Sequence, residues 1–143
     1  KMWVSPSGIW RDAPLSDRRV ITSYKAPAAV GPYSQAIASG EFIFTAGQIP
    51  LNPETGRIIE GDFKEQVRQV LHNISEILHE AHSDLEHVVK LTVFLTEMYR
   101  FQDLNNVFKE FFAFDPPARS AVEVSKLPLG AEVEIECIAI RKK

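Results

Sequence analysis

Between Asp62 and Ala81 the chain sets Phe63, Val67, Val70, Leu71, Ile74, Ile77, Leu78 and Ala81 at the i, i+4, i+7, i+8 spacing that gathers apolar side chains on one side of a helix. Lys64, Arg68, His72, Glu76 and His79 fall on the other side, which should be wet. Asp62 as N-cap, with Glu65 three residues later, resembles a capping box in which Asp replaces the usual Ser or Thr. An apolar stripe of this length has to be buried against a second layer of structure.

The rest of the chain supplies that layer. Arg19 to Lys25 reads as a short strand, and Tyr33 to Ala38 and Glu41 to Ala46 read as a hairpin around Ser39-Gly40. LNPETG, Leu51 to Gly56, is a turn. Val88 to Thr96 alternates Val89, Leu91, Val93 and Leu95 with Lys90, Thr92, Phe94 and Thr96, the pattern of a strand with one buried face. A second helix is expected over Phe101 to Phe112, with Phe101, Leu104, Phe108, Phe111 and Phe112 inward, and Asp115-Pro116-Pro117 stops it. Two more strands flank a Leu-Pro-Leu-Gly turn, one over Ser120 to Ser125 and one from Glu132 to Ile140. Three strands, helix, strand, helix and two strands predict an α+β fold, a mixed sheet with both helices on one face. No repeat or linker divides residues 19–143, which read as one domain; residues 1–18, rich in Pro and Ser and without a period, read as an extension.

Of the 143 residues, 45% are hydrophobic and 24% charged, with a net charge of -3 and basic residues scattered among acids. That balance argues against a nucleic-acid surface, which needs clustered Lys and Arg. Cys137 is the only cysteine, so neither a disulfide framework nor a cysteine zinc site is expected. No apolar run is long enough to span a bilayer, and the N-terminal stretch lacks the apolar core of a secretory signal. The expected location is cytoplasmic. Mitochondrial import is the alternative suggested by Arg11, Arg18 and Arg19, against which Asp12 and Asp17 weigh.

Several polar residues sit in apolar surroundings. Asn105 interrupts the inward stripe of the second helix, where it either bonds to backbone in the core or lines a pocket. In the last strand Glu132, Glu134 and Glu136 give way on the same face to Ile138 and Ile140, while Val133, Ile135, Cys137 and Ala139 form an apolar face. The mixed face suits partial cover by another surface, and a carboxylate at its boundary would have a raised pKa; the alternative is three solvated glutamates. Arg119, after Pro117-Ala118, either presents a guanidinium to a carboxylate or phosphate or is an ordinary surface arginine. If Arg119 and Glu134 lie on neighbouring strands, they combine an anion anchor with a proton acceptor, or simply pair with each other. Other chemistries fare worse. His79 and His82 are three apart with no carboxylate partner, so no metal site is expected. Ser34 and Ser120 lack a nucleophile elbow, the glycines are too dispersed to cradle phosphate, and Cys137 belongs to a buried set.

APAAVGPYSQA (Ala26 to Ala36), TAGQIPLNPETG (Thr45 to Gly56), and PPARSAVEVSKLP followed by VEIECIAI resemble, in order, the motifs of the RidA-type reactive intermediate deaminases, the YjgF family. The likeness runs from about Arg19 to Arg141. It implies a chorismate-mutase-like α+β fold, a homotrimer with sites between subunits, and hydrolysis of enamines and imines such as 2-aminoacrylate, 2-iminopropanoate and 2-iminobutanoate to 2-keto acids and ammonia, with no cofactor. By position the family's carboxylate-binding arginine matches Arg119, its water-activating acid Glu134, its pocket tyrosine Tyr33 and its pocket asparagine Asn105. Gly47 would line the site through its backbone. Ala46 stands where many relatives have Ser, and Ala121 where many have Cys. Two other readings accompany this one: a non-catalytic trimer that senses small carboxylates or docks on a partner, and an endoribonuclease or translation inhibitor.

Overall fold

The computed structural model describes residues 2–4, 10–12 and 18–143. Within the extension, β1 (Met2–Val4) and β2 (Trp10–Asp12) pair antiparallel. The remaining elements are β3 (Arg18–Ile21), β4 (Ala36–Ser39), β5 (Phe42–Thr45), α1 (Phe63–Glu80), β6 (Val88–Leu95), α2 (Phe101–Phe111), β7 (Ala118–Glu123) and β8 (Val133–Ile140). From β3 onward their order is the one expected, and they make an α+β unit with both helices against one mixed sheet. Arg18, placed by the sequence in the extension, is the first residue of β3.

The sheet order is β3-β4-β5-β8-β6-β7, with only β6 and β7 parallel. The last strand is thus inserted between β5 and β6, and β6 separates β7 from β8. The hairpin of β4 and β5 turns at Gly40-Glu41, where Gly40 takes φ +57°, a left-handed conformation that costs glycine nothing.

Helix α1 buries the whole predicted stripe from Phe63 to Ala81. Each fully buried Val, Leu or Ile contributes about 1.5–3 kcal/mol of transfer free energy, which is why this face fixes the helix to the sheet. The Glu65 amide donates to Asp62 Oδ1 (2.9 Å), so the predicted N-cap is in place. At the other end His82 (φ 59°) donates to the His79 carbonyl, and the Ser83 amide donates to that of Leu78, a Schellman closure without glycine.

Four expectations need correction. The register between β6 and β8 shifts between Val88 and Lys90; this irregularity turns Val88 inward and leaves Val89 41% exposed, although simple alternation put Val89 inside. On α2 the buried residues are Leu104, Val107 and Phe108. Phe101 lies on the flank under the Arg119 guanidinium (5.3 Å), and half-buried Phe111 meets the edge of His72 (5.4 Å). The strand expected to reach Lys25 ends at Ile21, because buried Gln35 holds the following loop: it accepts from the Ser23 amide (2.6 Å) and donates to the carbonyls of Ser23 (3.1 Å) and Pro27 (2.7 Å). Arg119 lies within β7, which runs over Ala118–Glu123 and not Ser120 to Ser125.

The sheet face away from the helices is partly apolar. Phe42 pairs with Ile140 and Phe44 with Ile138, and both phenylalanines are exposed. Among the described residues no helix is long and apolar enough to cross a membrane.

Candidate active site

The sequence-selected residues fall into two groups. Val133 and Ile135 are fully buried against the helices, so the pleat of β8 turns Glu134 to the opposite face, where it pairs across the ladder with Phe94. There it lines a cavity of about 460 Å³ with Tyr33, Ala46, Gly47, Gln35, Gln48 and a set of apolar side chains. Burial, and after it the neighbouring charge of Glu136, raise its pKa above the ordinary carboxylate value.

Gly47 explains how the carboxylate fits. A Cβ at position 47 would lie 2.8 Å from Glu134 Cδ and 3.1 Å from its Cγ, inside van der Waals contact. The absence of a side chain at Gly47 is therefore what seats Glu134. The backbone on both sides is fixed: Ala46 donates to the Gln35 carbonyl (2.8 Å), and Gln48 exchanges two hydrogen bonds with Ile135 (2.8 and 3.0 Å). Tyr33 stands half exposed at the rim, its hydroxyl accepting from the Val30 amide (3.3 Å).

Arg119 faces the helices. It pairs with core residue Leu91 of β6, and its side chain reaches α2, where Nη2 donates to Asn105 Oδ1 (2.8 Å). The guanidinium also lies over the rings of Phe108 (4.9 Å) and Phe101 (5.3 Å), contacts that fix a planar cation. Burial lowers its pKa. It has no acidic partner within ion-pair distance among the described residues, and with Asn105 it lines a second cavity of about 480 Å³. Asn105 thus lines a pocket, and its oxygen accepts from a cation, not from backbone. Ala121, two residues on, packs against the core and does not line this cavity.

The two groups are not adjacent in one chain. Through their partners on β6, Leu91 for Arg119 and Phe94 for Glu134, they sit on opposite faces of the sheet with β6 between their strands, so the condition that Arg119 and Glu134 occupy neighbouring strands is not met. The other glutamates separate as well. Glu132 precedes β8 and is engaged by Gln66 Nε2 (3.0 Å) and Arg100 Nη2 (3.6 Å), whereas Glu136 is exposed. Cys137 is buried, with burial pushing its thiol to about 12, as a small core residue should be. Among the described residues no group of three or more His, Cys, Asp or Glu stands close enough to hold a metal ion. Leu129 and Val30 also line the Glu134 cavity and were not singled out from sequence, because neither composition nor period marks an exposed loop leucine or valine.

The family model described as Endoribonuclease L-PSP matches residues 23–141. The chain is 51% identical over 125 residues to a RutC family protein of Pyrococcus abyssi, covering 87% of this chain and 98% of that protein. It is 44% identical over 124 residues to the 2-iminobutanoate/2-iminopropanoate deaminase of Mus musculus, covering 87% and 92%. Among solved structures, RidA from the Antarctic bacterium Psychrobacter sp. PAMC 21119 matches with a TM-score of 0.83 and 46% identity, over 86% of this chain and 99% of that one.

Proposed function

The chain belongs to the endoribonuclease L-PSP family, the RidA (YjgF) proteins, and from that premise we propose that it is an imine deaminase, hydrolysing small 2-imino acids such as 2-iminobutanoate and 2-iminopropanoate to 2-keto acids and ammonia. One observation carries the reading: the fold prepares a half-buried guanidinium without a carboxylate partner among the described residues and, on the other sheet face, a half-buried carboxylate that holds its proton more tightly than usual. The first suits a substrate carboxylate, the second proton transfer at the imine.

Because the two groups stand on opposite faces of one chain, the reaction needs Arg119 of one copy to meet Glu134 of another. A homotrimer with sites between copies supplies this, and the apolar face around Phe42, Phe44, Ile138 and Ile140 is a surface suited to the contact. In the assembled site Arg119, aligned by Asn105, Phe101 and Phe108, grips the substrate carboxylate bidentately and places C2 of the imine beside Glu134. Glu134 takes a proton from a water whose oxygen adds to C2, and the proton passes to the nitrogen. Collapse of the carbinolamine then passes the hydroxyl proton to the nitrogen by way of Glu134 and breaks the C–N bond, leaving C2=O and free ammonia. An enamine substrate is first protonated at C3 to give the imine.

The test is ammonia release from freshly generated 2-iminobutanoate by the wild type, Arg119→Ala and Glu134→Gln, with assembly measured for each. Both variants should lose activity while remaining folded. Co-refolding the two inactive variants should restore activity at about a quarter of the sites, those that receive Arg119 from one copy and Glu134 from the other. Full activity in Arg119→Ala refutes the mechanism, and no recovery in the mixture refutes the shared site. Binding of 2-keto acids without ammonia release would favour a sensing trimer. The family description supports a second reading, an endoribonuclease. It predicts RNA cleavage that Glu134→Gln abolishes, and the net charge of -3 gives it little electrostatic support.

A further inference from the structure

Asn73 sits inside the apolar stripe of α1, three residues after Val70 and four before Ile77, and it is 1% exposed. A buried amide in such company is tolerated only when its polar atoms are bonded, and here they are. Its Oδ1 accepts from Gln69 Nε2 (2.9 Å), one turn earlier on the same helix. That bond fixes which end of the amide faces away from the helix: Nδ2 donates to the Leu51 carbonyl (2.9 Å) and approaches the Ile49 carbonyl (3.5 Å).

The segment that receives these bonds has little of its own to hold it. After Gly47 and Gln48 the chain leaves the sheet, and Pro50 brings no amide to any ladder. The Leu51 amide donates back to the Ile49 carbonyl (2.7 Å), closing a three-residue turn, and beyond it the chain pairs with itself, Leu51 against Ile58. Among the described residues Asn73 is the one helix side chain that hydrogen-bonds residues 47–51.

Residues 47–51 are also what holds the Glu134 carboxylate. Gly47 leaves the space that the carboxylate fills, and Gln48 exchanges backbone hydrogen bonds with Ile135 beside it. The Gln48 amide, Ile49 and Leu51 line the same cavity. One end of the segment is thus tied to β8 and the other to α1. Releasing the α1 end leaves the Leu51 carbonyl without its donor, so the turn has to shift toward water to satisfy it, and the seat of Glu134 shifts with it.

We infer that Asn73, oriented by Gln69, is a positioning residue for Glu134, acting through the turn at residues 49–51 without touching substrate. Its kinetic consequences rest on the imine-deaminase reading above. A residue that only stabilised the fold would lower Tm and leave the carboxylate and the chemical step as they are.

The experiment compares the wild type with Asn73→Ala, Gln69→Ala and Ile77→Val, the last removing a buried methyl one turn along the same stripe. Both readouts are taken well below the unfolding temperature. The first is titration of the Glu134 carboxyl by carbon NMR in glutamate-labelled protein without substrate, with its resonance identified by Glu134→Gln. The second is kcat and KM for freshly generated 2-iminobutanoate. Burial is the first cause of the raised Glu134 pKa and the charge of Glu136 the second, so a loosened wall admits water and brings the titration down toward the ordinary carboxylate value. Expected in Asn73→Ala are that downward shift and a fall in kcat of about tenfold or more, with KM within about twofold because Arg119 of another copy grips the substrate carboxylate. Gln69→Ala should move both in the same direction by less, and Ile77→Val should move neither. An unmoved titration with unchanged kcat in Asn73→Ala, or an equal shift in Ile77→Val, overturns the inference and leaves the deaminase reading standing. If Asn73→Ala does not fold, Gln69→Ala decides, and an unmoved Glu134 titration there overturns the inference. A wild type that releases no ammonia removes the deaminase reading, and the titration alone then supports or overturns the role of Asn73.

Discussion

Replacing Gly47 by alanine separates the seat of Glu134 from the stability of the fold. The added methyl would sit 2.8 Å from Glu134 Cδ, well under the distance real side chains tolerate, so something must give. The neighbour is the free end of a flexible side chain, and the carboxylate can swing away at small cost. Gly47 has no left-handed φ to lose, and alanine narrows the unfolded ensemble by about 0.4–1 kcal/mol, which offsets the clash. Tm should therefore stay within about 3 °C of the wild type. Activity should not survive as well, because a displacement of about 1 Å in a catalytic group costs on the order of a hundredfold. The displaced carboxylate would also move toward water and lose part of its raised pKa, so the acidic limb of the rate profile should shift to lower pH. Calorimetry together with kcat/KM for 2-iminobutanoate across pH measures all three. A Gly47→Ala protein with wild-type turnover, or one destabilised by several kcal/mol, would show that Gly47 serves backbone packing and does not seat the carboxylate.

Glu136→Gln removes the lesser cause of the raised Glu134 pKa, so the acidic limb of kcat/KM should move down in pH with the maximal rate kept; an unmoved limb would mean burial acts alone. Glu134→Gln should abolish turnover yet raise Tm at neutral pH. The folded-state pKa is raised, so ionisation above it costs folding free energy that the amide avoids, and the gain should vanish at pH below the ordinary carboxylate pKa. Asn105→Asp hands Arg119 an internal carboxylate in place of an amide oxygen 2.8 Å away, and KM for the imine should rise by tenfold or more. Asp84 caps the short turn before β6 and meets His87 Nδ1 (2.6 Å) and Lys142 Nζ (3.4 Å). Burial pushes its carboxyl up, but the His87 and Lys142 interactions outweigh this and hold it below the ordinary value. Asp84→Ala should cost about 1–2 kcal/mol at neutral pH, and the loss should disappear in urea titrations as pH falls through the depressed pKa.

The sequence alone determined the elements. The stripe of α1, its Asp62 cap, the stop at Asp115-Pro116-Pro117 and the alternation of β8 are local periodicities and local chemistry, and the structure repeats them nearly residue for residue. It also marked Arg119, Glu134, Asn105, Tyr33 and Gly47 by motif and order, since short motifs survive as strings. Tertiary structure decided the rest. The insertion of β8 between β5 and β6 depends on pairing between distant segments, which no spacing encodes, and the register on β6, Arg119 beside Leu91 and Glu134 beside Phe94, puts the two on opposite faces. The shift after Val88 reversed the phase of Val89 because one extra residue in a ladder exchanges inside for outside. Three glutamates alike in period became an ion-pair partner, a half-buried acid and a solvated charge, since burial is set by what lies across the sheet. Gly47 acquired its reason only when Glu134 was seen to fill the space its Cβ would take.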